Sequence, residues 1–426
     1  MDKPKKETQV LARFFKKHSW VLTCFFAIVL IPQSLTLQSK LEGRLIITGL
    51  AIEKNSSQYQ VTAQIVSPSA GLISGKDAAG IDFVSVSAST IREAITKIAT
   101  NTTKSPGLGH MNFVVIGESV FNDDLTSVID FIVRDAHTDT SVLMLVAKNA
   151  TEQIKNTKNL ELGSAIQLRK AFLAKQNMCN GVMTIANKFL ANKFNPSASS
   201  VVSYLEIENE PEQNQQTTTS LQDGTQSTNE SNQSGGEKLI KQGRIKYNLP
   251  LALFRNGKHV GNLETEDEIF GYNMLVGSSN NFIAGFSNLT QDDGSKVKIT
   301  LLSKQKKSKT SVKFVNGVPE ITINIKLGKN QILELISEEN SLNNYKTQQN
   351  YLTKQMQYEL EKQIKNKAAV ALSKATELGV DILEVATQLY RKSPKQYKNY
   401  FKSHDLDDFL SSAKFKIKVD VQTESK

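Results

Sequence analysis

The sequence predicts a mixed α/β (α+β) protein with three consecutive domains, each a mixed sheet with helices, behind an N-terminal membrane helix. Three observations support this fold class. A chain of 426 residues is too long for one ordinary hydrophobic core. Apolar residues alternate as in strands in many segments, and other segments between them have helical spacing. A basic N-terminus precedes a short apolar run, which is typical of an export segment.

Residues 1–40 contain the predicted membrane segment. Six Lys and Arg residues precede Trp20, and the twelve residues from Trp20 to Ile31, with Phe25 and Phe26 among them, carry no charge. Twelve residues are fewer than the ~20 that cross a bilayer, so a cleaved signal and a retained anchor that extends to Leu37 both remain open. The basic flank predicts that residues 1–19 stay in the cytoplasm and the remainder is exported. It also argues against a soluble protein with a buried N-terminal helix.

The chain contains two cysteines, Cys24 and Cys179. They exclude a disulfide framework and a cysteine-rich metal site. Cys24 follows Val21-Leu-Thr23 without the preceding small residue that a lipoprotein acceptor needs, so we do not expect lipidation at Cys24. Cys179 has no neighbouring histidine in sequence and is predicted to be a packing residue.

The N-terminal domain is predicted over residues 41–154. The expected strands are 45–52, 59–65, 83–87, 111–116 and 141–147. Thr90 can cap a helix with an apolar stripe from Ile91 to Ile98, and Asn122-Asp-Asp124 can cap a second helix that ends near Arg134. The nearly continuous apolar run at 111–116 favours a strand covered on both faces.

The middle domain is predicted over 155–292. It reads as helical up to Phe194 and extended over 200–207, and Asn256-Gly257 between strand-like runs predicts a hairpin. Residues 208–238 are almost entirely polar and contain a single aliphatic residue, Leu221. Such a segment buries too little apolar surface to offset its ordering entropy, so we expect a disordered insertion within the domain.

The C-terminal domain is predicted over 293–426. Alternating strands flank Asn316-Gly317, a long helix runs from about 341 to 378, and a strand at 415–421 closes the chain. The helix carries an apolar residue at every fourth position from Leu352 to Leu372. This stripe either binds a partner helix or packs on the domain's own sheet, and we favour the second.

The block from Gly107 to Glu118 allows two interpretations. His110 beside two glycines could form a catalytic or ligand-binding turn, or the block could be scaffold. The five histidines, His110 and His137 included, lack metal-ligand spacing, and no nucleophile elbow, phosphate-binding loop or dinucleotide fingerprint occurs. We therefore expect no enzyme activity, no catalytic residue, no cofactor and no metal, and we assign the block to scaffold.

The formal charge of +10 could favour anionic membranes or nucleic acid. The lysines, however, are scattered along the chain with few aromatic residues among them, and no nucleic-acid-binding module is recognisable. The sequence thus predicts a lysine-rich solvated surface and no nucleic-acid partner.

Several motifs, in this order, resemble the Ger(x)C family, the C subunit of bacterial spore germinant receptors. They are a strand at 46–52, an alternating strand at 59–66, Gly109-His110 before a buried strand that ends at Gly117-Glu118, a helix ending in Arg134, Ala252-Leu-Phe254, Lys258 through Leu263, and Glu266 through Tyr272. The resemblance spans roughly residues 43–424. The motif residues for which we expect structural roles are Gly109, His110, Gly117, Glu118, Arg134, Phe254, Gly261, Leu263 and Gly271.

The resemblance implies a three-domain extracytoplasmic protein on the outer surface of the spore inner membrane. Such a subunit works with two membrane-embedded subunits, one permease-like, in a complex that senses nutrients and triggers ion release, and it is not known as an enzyme. The family's lipid-acceptor cysteine before the first strand is missing from residues 33–43, and no Trp accompanies Pro394. The alternative function is an exported, membrane-anchored solute- or wall-binding protein that acts alone.

Overall fold

The computed structural model describes residues 43–67, 80–121, 125–134, 141–160, 165–209, 243–337 and 351–422. The predicted membrane segment with Cys24, nearly all of the predicted insertion at 208–238, and His137 lie outside these residues. No helix in the described ranges is long and apolar enough to cross a membrane. The division into three domains stays a prediction.

The strands are β1 (Arg44–Asn55), β2 (Gln58–Ser67), β3 (Gly80–Ala88), β4 (Ser105–Gly107), β5 (Phe113–Gly117), β6 (Leu143–Ala147), β7 (Thr184–Ile185), β8 (Ser199–Ser203), β9 (Ile207–Asn209), β10 (Gly243–Ile245), β11 (Leu251–Arg255), β12 (Lys258–Leu263), β13 (Ser278–Ser279), β14 (Phe282–Thr290), β15 (Lys296–Val315), β16 (Val318–Ser337) and β17 (Lys414–Val421).

The α-helices are α1 (Ile91–Thr102), α2 (Glu118–Phe121), α3 (Thr126–Arg134), α4 (Ala150–Asn156), α5 (Ala165–Asn177), α6 (Ala186–Lys193), α7 (Glu266–Leu275), α8 (Lys354–Glu377), α9 (Val385–Lys392), α10 (Pro394–Tyr400) and α11 (Leu406–Ser412). The mixed α/β class with several sheets is confirmed.

The first sheet has seven strands in the order β3-β2-β1-β5-β6-β7, with β4 also paired to β1. β1, β2 and β3 are antiparallel, whereas β5 and β6 continue the sheet in parallel. Alternate residues of β5 enter two different cores, Val114 and Ile116 on one side and Phe113 and Val115 on the other. The prediction of a strand covered on both faces near 111–116 is confirmed, and the strand spans residues 113–117.

Helix α1 packs on this sheet as its pattern predicts. The Thr90 side chain accepts a hydrogen bond from the Glu93 N–H at 3.1 Å and caps the helix. Ile91, Ala94, Ile95 and Ile98 are buried in one stripe.

The middle of the chain forms a three-stranded sheet in the order β12-β11-β8. Asn256 and Gly257 connect β11 to β12 with φ angles of 52° and 81°, as a type I′ hairpin requires. The helical region expected up to Phe194 contains α5 and α6, but Cys179, with φ 53°, and the short strand β7 separate these two helices.

The C-terminal sheet has the order β13-β15-β16-β17, with β14 also paired to β15. β15 and β16 have 20 residues each and join at Asn316-Gly317. Helix α8 begins at Lys354, where the Thr353 side chain accepts from the Met356 N–H. The start predicted near 341 is wrong, since residues 351–353 are not helical.

The apolar stripe of α8 packs on its own sheet, as predicted. Met356, Leu360, Ile364, Ala368 and Leu372 belong to one core with the inward residues of β15 and β16. Gly379, with φ 67°, ends the helix in a Schellman motif, in which the Val380 N–H bonds the Ala375 carbonyl at 2.8 Å.

Candidate functional site

The three-stranded sheet lies between two cores and carries several motif residues. In β11, Ala252 and Phe254 point into the core formed with helices α1, α3 and α6, and Leu251 and Leu253 point into the core formed with α7 and α8. Side chains alternate along a strand, so a strand covered on both faces must be apolar throughout. The sheet therefore couples the packing of the N-terminal half to that of the C-terminal half.

An aromatic cluster covers the face of this sheet that packs against the N-terminal half of the chain. Its rings belong to Phe121 at the end of α2, Phe189 in α6, Tyr204 after β8, Phe254 in β11 and His259 in β12. The Phe121 ring lies 4.9 Å from the His259 ring, 6.0 Å from the Phe254 ring and 6.3 Å from the Tyr204 ring, all measured between centroids. Such edge-on pairs add about 0.5–1.5 kcal/mol each beyond area burial. Two residues of the family motifs, Phe254 and His259, thus pack against rings from distant parts of the sequence.

A short hydrogen-bond chain lines the polar edge of the aromatic cluster. The Tyr204 hydroxyl donates to Glu118 Oε1 at 3.4 Å, and His259 Nε2 lies 2.8 Å from Asn262 Oδ1. Burial, followed by the nearby Glu118 carboxylate, raises the pKa of Tyr204 to about 12, and a hydrogen bond with Asn262 works against that shift. The phenol is therefore protonated at neutral pH and acts as a donor, not as a nucleophile or base.

Gly117 lets a neighbouring side chain pass close to β5. A Cβ at this position would lie 2.8 Å from the Glu53 Cγ atom. The Glu53 carboxylate in turn accepts from the Thr151 hydroxyl at 2.7 Å and from the Thr151 N–H at 3.3 Å. It thereby fixes the start of α4, where an anionic group is favourable.

Gly261, Leu263 and Gly271 face helix α8. Gly261 has a φ of 154°, and a Cβ there would lie 2.8 Å from Leu378 Cδ1. Leu263 is fully buried in the core shared with α8. These motif residues allow β12 and α7 to approach the long helix closely.

Gly109, His110 and Arg134 lie at the surface. The turn at Gly109-His110 is closed by a bond from the Met111 N–H to the Leu108 carbonyl at 3.0 Å, and the His110 side chain is exposed. The Arg134 Nε atom lies 2.5 Å from Asp130 Oδ1, and 80% of the Arg134 side chain is exposed. The structure therefore brings Glu118 and Phe254 together and leaves His110 and Arg134 outside that cluster.

A buried polar network that the sequence did not reveal joins β8 to the segment after α8. Asp381 Oδ2 accepts from the Ser197 hydroxyl at 2.7 Å and from the Ala386 N–H at 2.9 Å. The Asp381 N–H donates to the Ser199 hydroxyl at 3.0 Å. Burial raises the pKa of Asp381. A lone Asp between apolar residues offered no sequence pattern from which this contact could be found.

Two further buried polar groups, the Lys306 ammonium and the Cys179 thiol, have structural roles. Lys306 donates to the backbone carbonyls of Asn273 and Val276, and burial lowers the pKa of its ammonium group. Burial raises the pKa of the Cys179 thiol to about 12, which makes the thiol unreactive at neutral pH. The prediction that Cys179 is a packing residue is confirmed.

Among the residues described, no group of three or more His, Cys, Asp and Glu side chains could hold a metal ion.

Comparisons with known proteins cover both halves of the chain. A family described as spore germination protein N-terminal domain matches residues 38–207, and one described as spore germination B3/GerAC-like, C-terminal, matches residues 250–425. A Bacillus subtilis (strain 168) protein assigned to spore germination, YfkR, is 32% identical over 117 residues, which are 25% of this chain. The match spans 29% of that relative's length.

The chain also has a structural likeness to a solved protein. The crystal structure of the GerBC protein is 17% identical, with a TM-score of 0.43, over 88% of this chain and 96% of that chain.

Proposed function

The chain belongs to the Ger(x)C family of spore germination proteins, and we propose that it is a non-catalytic, extracytoplasmic subunit of a nutrient germinant receptor. One observation carries this proposal. The regions that match the two family domains pack together through the aromatic cluster, where Phe121 and Tyr204 from the first region meet Phe254 and His259 from the second. The motif residues that converge there supply packing, so a structural role for them fits a subunit that acts through its surfaces.

The chemistry of the cluster supports a non-catalytic role. A nucleophile needs a base within hydrogen-bond reach and an open space for the reacting atom. Tyr204 is buried with a raised pKa, and the Phe121 ring packs edge-on against it. The family is a receptor-subunit family that is not known for enzyme activity.

The proposed partners are the membrane-embedded germinant-receptor subunits, one permease-like and one other. In this proposal the segment at residues 20–37 attaches the protein to the membrane, and the folded part lies on the exported face of the spore inner membrane. The basic flank before Trp20 and the membership of the family support this placement.

Affinity purification from spore membranes tests the proposal. We expect a tagged full-length chain to retain the permease-like subunit. We also expect that deletion of the gene for this chain slows nutrient-triggered germination until the wild-type gene is restored. Normal germination of the deletion strain, in the absence of a redundant homologue, would contradict the proposal.

The alternative, an exported membrane-anchored solute- or wall-binding protein that acts alone, is favoured by one surface cavity. A cavity of about 280 Å³ lies between α1 and α3, and Tyr59, Arg92, Asp130, Phe131 and Arg134 line it. Its volume is close to the ~300 Å³ at which small-molecule pockets begin. Side chains of both charge signs and two aromatic residues, Tyr59 and Phe131, line it, as a zwitterionic solute would require.

A thermal-shift screen with single nutrients and wall fragments separates the two functions. Saturable stabilisation that Arg134→Gln abolishes, and that Lys354→Gln on the distant helix α8 preserves, would favour the alternative. Equal unfolding midpoints with and without every compound, together with retention of the permease-like subunit, would favour the receptor subunit.

A further inference from the structure

Lysines that are scattered in the sequence meet on one face of the C-terminal sheet. The inward residues Ile321, Ile323 and Ile325 of β16 are buried in the core, so their alternate neighbours face outward. Where the three strands lie side by side, at residues 307–313, 320–326 and 414–420, the outward lysines are Lys307, Lys309 and Lys313 in β15, Lys326 in β16, and Lys414, Lys416 and Lys418 in β17. We call this surface the lysine face.

The strand register places these lysines in rows across the sheet. One row contains Lys309, Asn324 and Lys418, and another contains Lys313, Glu320 and Lys414. At the outward positions of this three-stranded stretch there are seven lysines and two acidic residues, Glu320 and Asp420, which leaves a surplus of five positive charges. Asp420 lies 3.3 Å from Lys326, whereas the other six lysines form no ion pair with any described residue.

Repulsion between lysines on this face destabilises the sheet. Lys307 and Lys326 are direct cross-strand partners on the same face. Like charges directly opposite each other destabilise a sheet. A surface without a binding role would more easily alternate its charges, as mixed solvated faces do.

Protection of a sheet edge explains only part of the lysine face. β17 is the last strand in the sheet order, and lysines on an edge strand discourage pairing with another chain. β15 is also an edge strand at Lys309 and Lys313, because β14 pairs with it only over residues 296–303 and β13 only at Lys306 and Lys307. Lys307, however, lies between β13 and β16, and Lys326 lies between β15 and β17, so edge protection does not explain these two lysines.

We propose that the lysine face lies against an anionic phospholipid bilayer. Outward lysines along β17 are about 7 Å apart and neighbouring strands about 5 Å apart, which is within the ~8 Å Debye length at physiological salt. The charges therefore act together on a broad anionic surface. This inference rests on the membrane attachment in the proposed function.

The chemistry of the lysine face favours lipid over other anions. Lysine is a point charge without the bidentate fork that arginine offers to a single phosphate, and the outward positions of these three strands contain no arginine. The same described positions contain no aromatic residue on which nucleic-acid bases could stack. Clustered lysines near a membrane are attracted to anionic headgroups irrespective of headgroup identity.

Amine acylation of the full-length chain in nanodiscs tests the inference. The nanodiscs contain either phosphatidylcholine alone or phosphatidylcholine with phosphatidylglycerol, and mass spectrometry gives the acylation rate at each lysine. We expect Lys414, Lys416 and Lys418 to react about tenfold more slowly in the anionic nanodiscs. High salt should remove this protection, because salt screens the attraction.

The exposed lysines of α8 provide the matched control. α8 covers the inward face of the same sheet, so its exposed residues Lys354, Lys362 and Lys365 lie on the opposite side of this unit. Their rates should not depend on lipid composition. The triple variant Lys414→Gln, Lys416→Gln, Lys418→Gln should raise the reactivity of Lys307 and Lys309 in anionic nanodiscs, and the corresponding triple Gln variant of α8 should not.

Two results would overturn the inference. One is equal acylation of the lysine face in both kinds of nanodisc. The other is protection that arises only when the membrane-embedded subunits are added, which would assign the face to an acidic protein partner. Retention of those subunits in affinity purification is a separate measurement, so failure of the lipid contact and failure of the receptor-subunit proposal are distinguishable.

Discussion

Gly271 in α7 lies against the backbone carbonyl oxygen of Lys367 in α8, and a Cβ placed on Gly271 would lie 2.0 Å from that oxygen. The Lys367 ammonium group reaches back over α7, where it lies 2.8 Å from Asp267 Oδ1 and 5.1 Å from the centre of the Phe270 ring. The two helices therefore meet backbone to backbone. Only glycine permits this approach without moving one helix.

Gly271→Ala should destabilise the protein strongly. The added methyl group overlaps backbone atoms, which cannot move away as a flexible side chain can, so we expect a loss of about 3 kcal/mol in the free energy of unfolding. Urea denaturation of the full-length chain in mild detergent measures it. Gly285→Ala in β14 is the control, because nothing lies within 4 Å of the added Cβ. An equal effect of both substitutions would show that α7 and α8 can separate freely.

Tyr204→Phe should change how stability depends on alkaline pH. Because burial and the Glu118 carboxylate raise the pKa of Tyr204 to about 12, the folded state holds the phenolic proton more tightly than the unfolded state. The contribution is fully present below the ordinary tyrosine pKa of about 10 and is lost as pH rises through about 12. The loss of the hydroxyl should cost about 1 kcal/mol at neutral pH.

The stability advantage of the wild type over Tyr204→Phe should therefore shrink between about pH 9 and about pH 12. Denaturation at several pH values measures this difference, and the effects of other alkaline groups cancel in it. Tyr358→Phe is the control, since Tyr358 is 62% exposed on α8. An advantage that stays constant with pH would exclude a preferentially protonated Tyr204.

His110→Ala should leave stability nearly unchanged. The imidazole is exposed, and it is the backbone carbonyl of His110 that accepts from Asn112 Nδ2 at 2.8 Å. We expect a change within about 0.5 kcal/mol for His110→Ala and a loss of about 1 kcal/mol for Asn112→Ala. Thermal unfolding compares the two variants. A larger loss for His110→Ala than for Asn112→Ala would return the imidazole to a structural role.

Local patterns in the sequence were sufficient for much of the fold. The cap at Thr90 and the stripe from Ile91 to Ile98 depend on residues within three turns of one helix, and both are confirmed. Asn316-Gly317 has the two positive φ angles that a tight hairpin needs, 52° and 80°, and those residue types adopt them at low cost. The break between α5 and α6 was missed, because Cys179 adopts a left-handed φ of 53° that its residue type does not favour.

The candidate site and the lysine face depend on contacts that no local pattern encodes. Ser197 and Asp381 are 184 residues apart in sequence, and Tyr204 and Glu118 are 86 apart. Such pairs meet only because the three-stranded sheet lies between two cores. Similarly, Lys309 and Lys418 share a row only because β17 joins β16 in parallel. In the sequence these lysines indicated no more than a solvated surface.

Asp381→Asn should remove part of the pH dependence of the free energy of unfolding. Burial raises the pKa of Asp381, so the folded state favours the protonated carboxyl. Its contribution is fully present below the ordinary aspartate pKa and is lost as pH rises through the raised folded-state pKa. The amide in Asp381→Asn keeps an oxygen that can accept from Ser197 and Ala386 and does not titrate. The stability advantage of the wild type over this variant should therefore fall as pH rises from about 4 into the neutral range.

Urea denaturation across this pH range measures the advantage, with Asp292→Asn as the control because Asp292 is exposed in a loop. Carboxylates elsewhere in the protein affect the wild type and both variants equally, so the difference isolates Asp381. An advantage that grows with pH would mean that the hydrogen bonds from Ser197 and Ala386 outweigh burial. Asp381 would then join β8 to the segment after α8 as an anion, and its pKa would lie below the ordinary value.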